Sequence, residues 1–319
     1  FLGWYPYAVR AGRRLLSEEK FDAVLTTAPP FTVHWIGRAL RKGGGPPWIA
    51  DFRDAWTKMP GYDHNALQLA IERPMEKSVL RRANHVLATT EPTAREFLEI
   101  DPSLAGKIST IPNGYDPAAY ECLPPYQKGQ RLRLAFTGTR FFGQDVGKFL
   151  ESLNGWASGR RRDEIRLAYA GPDSADLKAA AKNTPAGELL ETQGYLSHGA
   201  TAAFQRQSDV LVLPLYDDFS SHRFLPGKLF EYLASGRPIL CIANPGSESA
   251  KIVSRAKAGW VVSPGDETAL RERLDKIWSD WEAGRLETSS DAAWIEENFS
   301  RPRQTARLAQ ILSMVSKVS

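Results

Sequence analysis

Apolar runs rich in β-branched residues alternate with longer helical stretches along almost the whole chain, and this alternation constrains the fold more than any other feature. It is the pattern of βαβ units, whose parallel strands are joined by crossover helices and buried on both faces. The class is α/β. Strands are expected at 21–27, 48–52, 85–89 and 108–111, and again at 131–137, 165–170, 210–215, 239–243 and 260–262, with helices at 147–153 and 200–207 among those between. Separating the two blocks is the turn-rich stretch 112–117 (PNGYDP), followed by Pro124 and Pro125, which reads as a linker. A chain of 319 residues exceeds the usual size of one hydrophobic core. Two domains are therefore expected, at 1–118 and 119–300, with a terminal segment at 301–319; from 267 onward the chain reads as helical and without strand partners. The chain opens on Phe1 in what reads as the end of a helix, so the first domain is expected to be incomplete.

Composition excludes several functions. Hydrophobic residues make up 42% and charged residues 24%, with no apolar run long enough to span a bilayer. The net charge is +4, and the densest basic run, Arg160 to Arg162, is followed at once by Asp163 and Glu164, so no nucleic-acid partner is expected. Two cysteines and no leader pattern point to a reducing, cytoplasmic setting. Arg73, Lys77, Arg81 and Arg82 form either an exposed helix face or a weak attraction to an anionic membrane surface. The histidines are scattered and no Cys/His/Asp array has ligand spacing, so neither a metal nor a cofactor is expected. No nucleophile motif of a serine or cysteine hydrolase occurs.

The segment 224–243 (FLPGKLFEYLASGRPILCIA) reads as loop, short helix, stop and buried strand. Pro226 and Gly227 open the helix, Gly236 closes it, and Pro238 prevents its continuation. A helix start offers unpaired N–H groups and partial positive charge, suited to a diphosphate, and Lys228 adds a full charge. Glu231, three residues on, shares that face and can accept two ribose hydroxyls; the alternative is an ordinary surface Lys–Glu pair. Gly138, in Phe136-Thr137-Gly138-Thr139-Arg140, follows a strand and allows close backbone approach, while Arg140 can reach a phosphate. Gly171 and the Gly194–Tyr195 loop follow in the same block. Each glycine alone is as readily a turn; together with Lys228 and Glu231 they describe a crevice of nucleotide size beyond the strand ends.

In the first block, Asp51, Arg53 and Asp54 cluster at the end of an apolar strand, either as a catalytic group or as a self-satisfied ion network. Thr27, Pro29 and Pro30 end another strand and stiffen a loop that leads to His34, which reads as an acceptor-side residue or a core histidine.

Residues 226–239 (PGKLFEYLASGRPI) resemble the donor-site segment of bacterial GT-B glycosyltransferases of family 4. Residues 49–57 (IADFRDAWT), 111–116 (IPNGYD), 136–139 (FTGT) and 208–215 (SDVLVLPL) occur in the same order in such enzymes, so the resemblance covers essentially the whole chain. It implies two Rossmann-like domains facing a cleft, a last helix that crosses back to the first domain, and metal-independent sugar transfer with retention from a nucleotide-sugar, UDP by default. Gly138, Arg140, Gly227, Lys228 and Leu229 would hold the diphosphate, Glu231 the ribose and the Tyr195 loop the base, with Thr139, Gly171 and Pro226 also on the donor side. Asp51, Arg53 and Asp54 would lie near the reacting sugar, with Thr27, Pro29, Pro30 and His34 on the acceptor side.

Two departures stand out. The second glutamate of many members, eight residues before Glu231, is Arg223 here, with Asp217 or Asp218 as candidate substitutes, and the resemblance leads one to expect that the first strands of the N-terminal domain are absent before Phe1. The implied acceptor is a glycan or polyprenyl-linked sugar at the inner face of the cell membrane, in cell-surface polysaccharide synthesis. Two other readings stay open: a sugar-nucleotide epimerase of the same architecture, and a non-catalytic nucleotide-binding partner subunit.

Overall fold

The computed structural model describes residues 2–58, 65–139, 145–158, 162–216, 225–287 and 289–317. The chain divides into two compact units, Phe1–Asn113 with Pro302–Ser319, and Gly114–Arg301.

The first unit runs α1 (Tyr5–Glu18), β1 (Val24–Ala28), α2 (Thr32–Arg41), β2 (Trp48–Phe52), α3 (Ala66–Arg82), β3 (His85–Ala88), α4 (Glu91–Ile100) and β4 (Ile108–Thr110). Its four strands pair in parallel in the order β1-β2-β3-β4. β2 is buried at every position, which is why its sequence is a nearly unbroken apolar run. One sheet face, with Trp48, Ala50, Phe52, Val86 and Ala88, packs against helices through Val79, Leu80, Ala94 and Phe97. The opposite face, with Ile49 and Leu87, is covered by the helix Arg301–Lys317 through Val315, Leu308, Ile311 and Leu312. Gln304 Nε2 adds hydrogen bonds to the carbonyls of Pro112 (2.9 Å) and Asn113 (3.0 Å). β1 begins at Val24 and not at residue 21, because Phe21 remains 43% exposed and contributes nothing to the sheet.

The second unit contains α5 (Ala118–Glu121), β5 (Leu132–Thr137), α6 (Val146–Ala157), β6 (Ile165–Ala170), α7 (Ser174–Ala181), β7 (Leu190–Gly194), α8 (His198–Arg206) and β8 (Val210–Pro214). It continues with α9 (Gly227–Ser235), β9 (Ile239–Ile242), α10 (Glu248–Arg255), β10 (Gly259–Val262), α11 (Glu267–Glu282) and α12 (Ala292–Phe299), after which comes α13, the helix Arg301–Lys317. Six parallel strands lie in the order β10-β9-β8-β5-β6-β7. Side chains alternate between two cores: Leu134, Phe136, Leu167 and Val212 face α6, α7 and α11, while Ala135, Ala168, Leu211 and Leu213 face α8, α9, α10 and α12.

β7 is the strand that sequence patterning misses. It sits at the sheet edge, its residues are half-exposed or exposed, and Glu191, Thr192 and Gln193 break any apolar run. The end of the second unit also has a strand-like partner: Ser300 bridges Tyr115, with Tyr115 N–H donating to Phe299 O (3.0 Å) and Arg301 N–H to Tyr115 O (2.9 Å).

Candidate active site

The strand order of the second unit reverses between β5 and β8, where the chain winds outward in both directions. In doubly wound sheets the crevice beyond the carboxyl ends at such a point is the natural ligand site. Gly138 and Thr139 leave β5 there, and α9, which follows β8, starts there at Gly227.

Three glycine loops at the ends of β5, β6 and β7 are tied in series. Gly138 N–H donates to Ala170 O (2.7 Å) and Gly171 N–H to Gly194 O (2.8 Å), while the Tyr169 hydroxyl donates to Gly138 O (3.0 Å). Gly138 has φ +82°, a conformation that strains any other residue. At Gly171 a Cβ would lie 2.5 Å from Gly138 O, so the two loops can approach this closely only with glycine.

Pro226 caps α9 in an extended conformation, and Leu229 N–H donates to Pro226 O (2.9 Å); no described atom lies within 4 Å of where a Cβ on Gly227 would stand. Lys228 bends over Gly138, its Nζ donating to Thr139 O (2.9 Å) and standing 3.7 Å from the centre of the Phe136 ring. The stem is half-buried, but the ammonium end is hemmed in. Desolvation there lowers the amine to about 7, against the opposing charges of Glu231 and Asp173. Leu229 is buried and fixes the helix to the core.

Glu231, one turn on, faces Gln205, whose Nε2 donates to its Oε2 (3.0 Å). Its Oε1 lies 4.0 Å from His198 Nδ1. Tyr195 stands 82% exposed directly after Gly194.

In the first unit the register sets Thr27 beside Asp51. Arg53 Nη1 donates to Asp51 Oδ1 (3.2 Å) and Ile111 O (3.2 Å), and its Nη2 to Asn113 Oδ1 (2.6 Å). Burial raises the Asp51 carboxyl, while Arg53 and a hydrogen bond from Thr27 pull it back. Asp54 is also raised by burial and has the Arg53 charge opposing that. The loops after β1 and β2 are locked together: Arg53 N–H donates to Ala28 O (2.9 Å), and Phe31 stacks on Trp56 at 4.9 Å. Pro29 is exposed and Pro30 half-buried on this loop. Glu76, buried on α3, accepts from Trp56 N–H (3.3 Å) and Thr57 Oγ1 (2.5 Å), fixing the far end of the charged loop. His34 is fully buried, its ring 4.2 Å from that of Phe52 and its Nδ1 2.8 Å from Thr26 Oγ1, with desolvation lowering it to about 3. It is a neutral core histidine and offers a substrate no surface.

The two units also match known families. Residues 2–114 match the glycosyl transferase 4-like domain, and residues 131–280 match glycosyl transferases group 1. The chain joins these two glycosyl transferase domains in a GT-B fold. Among relatives, a 2-deoxystreptamine glucosyltransferase of Streptomyces kanamyceticus is 22% identical over 246 residues, covering 73% of this GT-B chain and 61% of that protein. The chain thus spans about three fifths of the length of this curated relative. Among solved structures, a sucrose-phosphate synthase from Thermosynechococcus elongatus superposes with a TM-score of 0.72 at 18% identity, covering 99% of the GT-B chain and 80% of the other. A glycosyltransferase from Rickettsia africae gives 0.74 at 15% identity, covering 99% and 82%.

Within this GT-B frame the second unit brings together Gly138, Thr139, Gly171, Pro226, Gly227, Lys228, Leu229 and Glu231, and the first unit brings together Thr27, Asp51, Arg53 and Asp54. Arg140, Asp217, Asp218 and Arg223 lie outside the described residues. Sequence reasoning missed Gln205, Glu76 and Asn113. Gln205 and Glu76 sit on helices where a polar residue normally faces water, and only the packing of each helix reveals that they face inward.

Proposed function

We propose that this chain transfers a sugar from a nucleoside-diphosphate sugar, UDP-linked by preference, to a glycan or lipid-linked acceptor with retention. The observation that carries the reading is the convergence of Lys228, the open start of α9 and Gly138 at the switch point of a Rossmann-ordered sheet. As the sugar–phosphate bond breaks, negative charge builds on the departing diphosphate. The Lys228 ammonium and the positive end of α9 stabilise that charge without a metal. Glu231 accepts from the ribose hydroxyls and Tyr195 supplies an aromatic face for the base. Asp51, Arg53 and Asp54 serve the reacting sugar and acceptor; retention, UDP and the place in cell-surface polysaccharide synthesis rest on the family resemblance. Calorimetric titration with UDP, GDP and their sugar conjugates, first with chelator and then with magnesium, tests the donor site. Metal-independent binding of one nucleotide is expected, and binding of none overturns the reading.

For the acceptor, the outer face of α3 favours work at the inner face of the cell membrane. No described helix is long and apolar enough to cross a membrane. On α3, Leu67 and Ile71 are 73% and 55% exposed one turn apart, followed by exposed Arg73 and Lys77. Such a face combines apolar insertion with attraction to anionic headgroups. Co-sedimentation with vesicles containing phosphatidylglycerol is expected for the wild type and lost in a Leu67→Glu/Ile71→Glu variant. Equal sedimentation of the two would remove α3 as the contact.

A further inference from the structure

We propose that Gln205 is a positioning residue for the Glu231 carboxylate and thereby sets recognition of the nucleotide ribose; this rests on the donor-site reading above. Gln205 lies on α8, is fully buried, and is surrounded by three side chains from three different elements. Its Nε2 lies 3.0 Å from Thr137 Oγ1 at the end of β5 and 3.0 Å from Glu231 Oε2 on α9, and the hydroxyl of Tyr120 on α5 lies 3.1 Å from its Oε1.

Chemistry fixes the direction of each bond. A carboxylate only accepts, so the amide nitrogen must face Glu231, and the amide oxygen must then accept from Tyr120. Burial pushes the Tyr120 hydroxyl well above its ordinary range, so it remains protonated and keeps donating. The amide cannot flip without setting its oxygen against the carboxylate. Gln205 therefore holds Glu231 Oε2 in place and leaves Oε1 directed toward the His198 side. It also ties the carboxylate to Thr137, the residue before Gly138, so ribose acceptor and phosphate loop are held at one spacing.

A carboxylate that takes two adjacent hydroxyls must present both oxygens at a fixed angle. Released from Gln205, Glu231 can rotate, and the gain from the second hydroxyl is lost while the phosphate contacts stay. The readout is the ratio of the dissociation constants of the 2′-deoxy and ribo forms of UDP and GDP, with inorganic pyrophosphate as a ribose-free probe. In the wild type the ribo form of the bound nucleotide is expected to be favoured by about tenfold or more. In Gln205→Met the ratio is expected to fall below about threefold with pyrophosphate affinity unchanged. Tyr120→Phe, which frees the amide while keeping the ring, is expected to give an intermediate ratio and serves as the test if Gln205→Met does not fold.

A wild-type ratio in either folded variant overturns the proposal. So does a parallel loss of pyrophosphate and nucleotide affinity at constant ratio, the mark of a merely structural glutamine. Failure of the wild type to bind any nucleotide removes the donor site itself. A wild type that binds nucleotide without ribose preference leaves the donor site standing and overturns the role of Gln205.

Discussion

Asp54→Asn lowers turnover by about a hundredfold or more while leaving nucleotide affinity unchanged, as expected for a group that handles charge or a proton in the reaction. Asparagine keeps the shape and removes the charge. The folded protein already works against that charge: burial holds the Asp54 carboxyl above its ordinary range, and the neighbouring Arg53 offsets this in part. A carboxyl raised on folding binds protons more tightly in the folded state than in the unfolded one. Folding is therefore more favourable as pH falls through the raised value, and the ionised group opposes stability above it. The variant should melt no lower than the wild type near neutral pH. If Asp54 acts ionised, wild-type turnover falls on the acid side at a pH above the usual aspartate range, and that limb is absent from the variant's residual activity. Parallel loss of nucleotide binding and melting temperature would make Asp54 structural instead.

Lys228→Ala weakens diphosphate binding by about tenfold to a hundredfold near pH 7, the scale of one charge-assisted contact. The pH dependence is the sharper test. With no diphosphate beside it the amine is lowered to about 7, because its ammonium is desolvated against Phe136, Gly138 and Thr139. A bound diphosphate restores the protonated form, so binding above pH 7 takes up a proton. With the free amine at about 7 and the bound one protonated throughout, wild-type affinity falls by about fiftyfold from pH 7 to pH 9. Lys228→Ala flattens this slope. Calorimetry in buffers of different ionisation enthalpy reads the proton uptake directly, and zero uptake at pH 8.5 in the wild type would sink the argument.

How far the sequence reveals these features depends on which forces leave a local trace. β2 and β6 are buried on both faces, so their apolar runs mark the observed bounds, Trp48–Phe52 and Ile165–Ala170. β7 is an edge strand held by backbone pairing to β6, and backbone pairing has no composition. α9 is legible from end to end because Pro226, Gly227 and Gly236 act within the helix itself; Gly236 closes it with φ +68°. The support of its carboxylate is not legible: Gln205 lies 26 residues from Glu231, and Tyr120, which holds Gln205, lies 85 residues from it. His34 shows the same limit in reverse, since only its closeness to Thr26 and Phe52 places it in the core.

The path of α13 has a consequence for how the protein is made. The second unit, Gly114–Arg301, is one continuous segment, so its residues leave the ribosome together. The first unit is synthesised earlier, yet Ile49 and Leu87 stay uncovered until Leu308, Ile311, Leu312 and Val315 emerge. The order of birth is thus reversed in the order of completion, and for the whole time that the second unit is being translated the nascent first unit lacks the helix that packs on this apolar sheet face.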